Sequence, residues 1–283
     1  MKPLAASGDH LLIHVFQVGA GSGGMPVLDL VARDPRVGRV TLVEPDLYNP
    51  HNIERHIFPL NGVGALKADL ARQWLAERRP ELQVNLVVAD LLDEARQAEL
   101  GAAIAAADVG ICAVDNEPAK YHFDALMRQH GKSWTLGEVL SGGIGGFVHW
   151  FTPGGPCYGC VASHLKRAVE VEKPKAPDYS QPGGGVQEAT VPASRASISA
   201  IASLHALMTL ELMEHRTADV YPFTSLLLTL KTVPDVFAEA FRPYRFRVPR
   251  SPDCLICRTP EREVAAEDLD VALHEALARL GHE

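Results

Sequence analysis

The chain reads as an α/β protein: a Rossmann-like, doubly wound, mostly parallel sheet with helices on both faces, followed by a C-terminal part with mixed strands and a four-cysteine site. Three observations predict this. Short apolar runs alternate with segments of helical period through the first half. A glycine turn (GAGSGG, 19–24) joins the first such run to the first helical segment. Two Cys-x-x-Cys pairs stand in the second half.

The elements follow in order. Residues 11–18 (LLIHVFQV) are a short apolar run and form a buried strand. Residues 25–33 carry apolar side chains at helical spacing, and 37–44 (VGRVTLVE) form a second strand. This β-α-β unit has a right-handed connection. Residues 46–59 are polar and irregular. A helix fits 66–78, anchored by Leu66, Leu70 and Leu75. A third strand is expected over 82–88, a long helix over 92–107, a fourth strand over 109–114 and a helix over 120–129. The second half is less regular. Strands are expected over 134–138, 146–152, 224–232 and 244–248, with a long apolar helix over 194–214. The segment 170–190 is rich in Pro and Gly and reads as a mobile loop, and the tail from 264 reads as an amphipathic helix. The chain is taken as one domain, 1–283, with a nucleotide-binding half (1–150) and a cysteine-stapled, partner-binding half (151–283).

Composition narrows the function. The 283 residues are 47% hydrophobic, enough for a large single core or two modest domains, and 22% charged. A net charge of -8 argues against a general nucleic-acid binder. The N-terminal residues lack the basic and apolar regions of a secretory signal, and no uninterrupted apolar run reaches the ~18 residues that span a bilayer. A cytoplasmic protein with no membrane partner is expected.

The cysteines carry the most specific signal. Cys157-Tyr-Gly-Cys160 and Cys254-Leu-Ile-Cys257 each place two thiolates on one tight turn. Together they supply the four sulfurs of a closed structural zinc site, with no position left for water. A disulfide pair or a redox motif is the alternative. Cys112 sits in an apolar run and reads as a small core residue.

The nucleotide signal is a constellation. Gly19, Gly21 and Gly24 match G-x-G-x-x-G between a strand and a helix. Such a turn brings backbone close to phosphate at a helix N-terminus. Glu44 ends the next strand, about 20 residues on, where a dinucleotide fold places an acid on ribose hydroxyls. Asp46, Asn52 and Arg55 follow that strand, Lys67 opens the next helix, and Asp115-Asn116 follows the fourth strand. Two cations suit a triphosphate better than a dinucleotide, and an Asp at a strand end suits magnesium. Taken singly, each residue could be an ordinary surface charge, and Asn52 could simply shape a turn.

In this order the residues resemble the ubiquitin-activating-enzyme-like (ThiF/MoeB/HesA) adenylyltransferases, over about 11–257. That family shows a glycine loop, D-x-D-x-V-x-x-S-N-L-x-R-Q, a helix lysine, T-D-N and two C-x-x-C pairs. Here Glu44 to His56 read EPDLYNPHNIERH, followed by Lys67, Val114-Asp115-Asn116 and both cysteine pairs. The resemblance implies ATP with magnesium and zinc. Glu44 would hold ribose, Asn52, Arg55 and Lys67 the phosphates, and Asp115 magnesium. By this resemblance Arg55, Lys67 and Asp115 would be the catalytic set. A C-terminal carboxylate would attack the α-phosphate of ATP, giving an acyl-adenylate and pyrophosphate. The implied partner is a small ubiquitin-like or sulfur-carrier protein ending in glycine, with a downstream thiol carrier and a homodimeric enzyme.

The sequence departs from the pattern in several ways. Glu44 stands for the usual Asp, and His51 and His56 for the usual Ser and Gln. The segment 185–192 lacks a thioester cysteine, and 1–10 is too short for the family's arginine-bearing helix. An enzyme that stops at the adenylate is therefore expected. The alternatives are activation of a peptide, a small carboxylate or a tRNA-linked substrate, and a non-catalytic scaffold subunit.

Overall fold

The computed structural model describes residues 12–165, 192–215 and 221–258. The loop expected at 170–190, the tail helix from 264 and the N-terminal stretch lie outside these residues. One sheet of eight strands organises the fold: β1 (Ile13–Val18), β2 (Val37–Val43), β3 (Gln83–Val87), β4 (Val109–Cys112), β5 (Ser133–Val139), β6 (Gly145–Phe151), β7 (Ser225–Thr229) and β8 (Pro243–Phe246). Their order is β3-β2-β1-β4-β5-β6-β7-β8. The first five pair in parallel, and β6, β7 and β8 add antiparallel strands. Mixed strands in the C-terminal part are therefore observed as expected.

Period-2 side chains build a core on each face. From β1, Ile13 and Val15 join one cluster, while Phe16 and Val18 join the other. The first face is covered by α1 (Gly24–Ala32), α2 (Lys67–Ala76) and α6 (Arg195–His215). The second is covered by α3 (Gln97–Ala106), α4 (Glu117–Gln129) and α5 (Tyr158–His164). Trp134 anchors the second face, stacked on Phe151 at 4.0 Å and edge-on to Phe123 at 5.1 Å. α6 is long and apolar enough by composition to cross a membrane. In the fold that apolar surface packs on α1, β5 and β6.

Several boundaries differ from expectation for local reasons. α3 begins at Gln97 rather than 92. Asp90 and Asp93 accept the backbone N–H groups of Leu92 and Ala95, drawing the chain into turns that compete with helix. α4 begins at Glu117 rather than 120, because the Asn116 side chain accepts the Ala119 N–H at 2.8 Å and caps it. β4 ends at Cys112 rather than 114, since its neighbour β1 turns away after Val18. The first cysteine pair is the start of a helix rather than an isolated turn.

Candidate functional site

The chain runs from β1 outward to β2 and β3, and returns to place β4 on the other side of β1. The carboxyl ends of β1 and β4 therefore border the switch point where open α/β sheets take their ligands. The glycine loop leaves β1 there, and Asp115 follows β4. Two cavities, of about 280 and 240 Å³, lie against Lys132 and Pro153 at the other end of the strands, and take in none of the switch-point residues.

The loop's glycines have different jobs. Gly19 has φ +92, and a Cβ there would sit 2.4 Å from the Ala113 carbonyl oxygen. Only glycine allows β1 and β4 to meet so closely at this turn. A Cβ on Gly21 would meet nothing within 4 Å, so packing does not require glycine there. That open space over a helix N-terminus fits a phosphate approaching the backbone.

Four side chains brace the loop. The Gln17 Nε2 donates to the carbonyls of Gly19 and Gly24, each at 2.9 Å. Glu44 accepts the Ala20 N–H at 2.6 Å on one oxygen and the Asp46 N–H at 2.9 Å on the other. Burial pushes the Glu44 carboxyl above its ordinary range, against the pull of those two donors. His56 accepts the Phe58 N–H on Nδ1, so its proton sits on Nε2 and is donated to the Ala20 carbonyl at 2.9 Å. Tyr48 packs at 5.2 Å from His56 and completes the brace.

The charged residues separate into paired and open groups. Lys67 is 7% exposed and its ammonium lies 2.7 Å from the exposed Asp46 carboxylate. A buried ammonium needs such a counter-charge. The Asn52 Oδ1 accepts the Asn49 N–H at 2.9 Å, so this residue does shape a turn, with its amide nitrogen left over. The half-buried Arg55 and the exposed Asp115 have no hydrogen-bond or ion-pair partner among the described residues. Asn116 caps α4 with its side-chain oxygen. Arg195, which the sequence reading missed, opens α6 near enough for its charge to bear on His56 and Tyr48.

His56 predicts a pH dependence. Burial pushes its imidazole down to about 4, from 6.5. Between those values the unfolded chain takes up a proton that the fold refuses. The stabilisation is complete above pH 6.5 and is lost as pH falls toward 4. Buried His205, pushed down to about 3, acts in the same direction. His56→Gln, which keeps a donor for Ala20, should lose less unfolding temperature between pH 7.5 and pH 5 than the parent. Equal losses would count against this account.

The cysteine cluster is separate. Cys157, Cys160, Cys254 and Cys257 are buried, free of disulfides, and their sulfurs lie within 4.8 Å of one another. Cys157 Sγ is 3.7 Å from Cys160 Sγ and 3.5 Å from Cys254 Sγ, and Cys160 Sγ is 3.5 Å from Cys257 Sγ. A tetrahedron with Zn–S bonds of ~2.3 Å has edges of ~3.8 Å, so the donor set fits zinc. Burial pushes the Cys157 and Cys160 thiols up. At Cys254 burial is outweighed by the N–H groups of Cys257 and Ile256, which bring it down to about 7. The Ser251 N–H approaches Cys160 Sγ at 3.4 Å, an outer contact typical of a thiolate site. Cys112 is wholly buried on β4 and burial pushes its thiol to about 12, which leaves it unreactive.

A family model described as the ThiF family matches residues 11–242. An uncharacterized protein y4oA of Sinorhizobium fredii is 29% identical over an alignment of 164 positions that covers 53% of this chain. The chain spans only 27% of that relative's length. Among solved structures, E. coli MccB with ATP is similar in fold at a TM-score of 0.64 and 15% identity, covering 88% of this chain and 68% of that one. E. coli MccB with AMPCPP and MccA gives a TM-score of 0.65 at 14% identity, with the same coverage. The microcin C7 biosynthetic enzyme MccB with N-formylated MccA gives 0.65 at 15%, covering 88% and 69%.

Proposed function

We infer, from the premise that this chain belongs to the ThiF family, that it is an ATP-dependent adenylyltransferase acting on a carboxylate. One observation carries the reading: an open glycine loop after β1, a buried lysine opening the helix after β2 and an unpaired aspartate after β4 all follow the carboxyl ends of neighbouring parallel strands. A carboxylate oxygen attacks the α-phosphorus, the bond to the bridging oxygen breaks, and pyrophosphate leaves. No base is required, because the nucleophile is already ionised. Two anions must approach one another, so the residues' work is to offset repulsion.

The space above Gly21 and the start of α1 receive phosphate oxygens. Lys67 sits ready to share its ammonium between Asp46 and the phosphates, and Arg55 is free to turn to them. The amide nitrogen of Asn52 is a further donor. Glu44 retains a lone pair on each oxygen for ribose hydroxyls, though its first task is to brace the loop. Asp115 and Asn116 would border magnesium, which would neutralise phosphate charge when bound. The four cysteines would hold zinc away from the chemistry.

The substrate we propose is the C-terminal glycine carboxylate of a small ubiquitin-like or sulfur-carrier protein, used by a cytoplasmic homodimer that hands the acyl group to another protein's thiol. The inert Cys112 supports a reaction that stops at the adenylate on this chain. A peptide carboxylate is the second reading, favoured because similar structures hold MccB together with MccA. The test is pyrophosphate exchange into ATP. It is run with a Gly-Gly-ended carrier, the same carrier amidated at its C-terminus, and a short peptide. Exchange with the free carrier alone supports the first reading, and exchange with the peptide alone the second. Exchange with neither, or tighter binding of NAD than of ATP, overturns the adenylation reading. A reductant-sensitive adduct on this chain that disappears in Cys112→Ala would show that Cys112 has been misjudged, and one that survives it would implicate a cysteine of the cluster.

A further inference from the structure

We propose that the cysteine clamp positions the turn carrying Asp115, and that the Tyr158 phenol transmits the hold. The magnesium part of this rests on the adenylation reading above; the structural part does not.

Tyr158 lies inside the first cysteine pair, directly after Cys157, and is fully buried. Its backbone and its side chain grip the same helix at two points. The Tyr158 N–H donates to Asp124 Oδ1 at 3.1 Å, and Asp124 Oδ2 accepts Arg128 Nε at 2.9 Å. The Tyr158 hydroxyl donates to Glu117, 2.8 Å from Oε2 and 3.0 Å from Oε1. Tyr121 of α4 packs edge-on against the same ring at 4.9 Å. The clamp thus holds α4 at its middle and at its first residue.

Glu117 is held from the other side as well. Lys120 is 5% exposed, and its ammonium lies 2.6 Å from Glu117 Oε1 and 2.6 Å from Glu138 Oε1 on β5. Glu138 Oε2 meets His149 Nε2 of β6 at 3.1 Å, and His149 Nδ1 meets Ser225 Oγ of β7 at 2.8 Å. So Glu117 is fixed between the cysteine-bearing helix and the antiparallel half of the sheet. Charge-assisted bonds of this kind are short and directional.

Asp115 stands two residues before Glu117 and has no partner of its own among the described residues. Two residues of chain span at most ~7 Å, so a shift of Glu117 moves Asp115. The Asn116 cap ties the turn to Ala119 and Lys120, through Asn116 Oδ1 to the Ala119 N–H and the Asn116 carbonyl to the Lys120 N–H. Tyr158 and Lys120 are therefore positioning residues. The competing explanation is a core tyrosine that merely satisfies its hydroxyl.

The variant that separates these is Tyr158→Phe in the zinc-loaded full chain, which keeps the ring and removes the donor. Zinc content should be unchanged. Hydrogen exchange at the Ala119 and Lys120 amides should quicken by roughly tenfold, because the turn opens more often. The magnesium concentration needed for half-maximal ATP binding should rise roughly threefold to tenfold, less than the full effect of losing one bond to a charged group because Asp115 feels the loss through two residues of chain. ATP binding without magnesium should not change. Unchanged protection at both amides overturns the proposal, and so does an unchanged magnesium midpoint in a protein that binds ATP. If the parent binds no ATP, the adenylation reading fails, and quickened exchange still supports the structural coupling. If Tyr158→Phe does not fold, Glu117→Gln replaces it, with the same outcomes read.

Discussion

Replacing Asp115 by alanine should reduce pyrophosphate exchange at least ~100-fold while leaving the unfolding temperature within about 2 °C of the parent. The two halves of that result have separate causes. Asp115 is exposed and takes part in no hydrogen bond or ion pair among the described residues, so the fold loses almost nothing with it. The reaction loses the carboxylate that would hold magnesium beside the phosphates, and with it the charge that offsets anion–anion repulsion. Asp115→Asn keeps the shape and removes the charge. It should fail almost as badly, which distinguishes a metal ligand from a hydrogen-bonding residue. Exchange at the parental rate in either variant would remove Asp115 from the catalytic set.

Replacing Cys254 by serine should strip the zinc and lower the unfolding temperature by more than about 10 °C. Four thiolates gathered from distant segments exist as a site only in the folded chain, so the metal's binding energy becomes folding energy. The affected region has little else to hold it. The segment around Cys254 and Cys257 contains no strand or helix in the described residues, and it reaches the core through the cysteines and Val248. Nucleotide binding should weaken less than stability does, apart from the magnesium dependence passed on through Tyr158. The measurement is elemental analysis together with thermal unfolding, with and without a chelator. Parental stability in metal-free protein, or a disulfide in either pair, would rule the clamp out.

Much of the candidate site was legible in the residues because its signals are local. The glycine loop, the acid at the end of β2 and the two cysteine spacings are fixed by short-range geometry. The resemblance to the family supplied roles for Asn52, Arg55, Lys67 and Asp115. The sequence could not assign the supporting residues. His56 registered only as a departure from a family pattern, yet it ties Ala20 into place from 36 positions away. Gln17 looked like one polar residue in an apolar strand, and its amide holds both ends of the glycine loop. A polar side chain inside a buried strand was the signal available for it. Glu44 was read as a ribose ligand, and the fold shows it bracing Ala20 and Asp46.

By itself the sequence determined the alternation of strands and helices, the glycine turn between β1 and α1 and the two cysteine pairs. Each depends on residues close together in the chain, where periodicity and turn geometry act directly. Only the tertiary structure decided the strand order, the switch point between β1 and β4, and the antiparallel extension through β8. It also decided which charges are paired. Lys67 meets Asp46 across 21 positions, and the Tyr158 phenol meets Glu117 across 41. A lysine or a tyrosine carries no local mark of its partner. Burial forces the pairing, because an ammonium or hydroxyl removed from water must find its counterpart wherever the packed helices and strands bring one within reach.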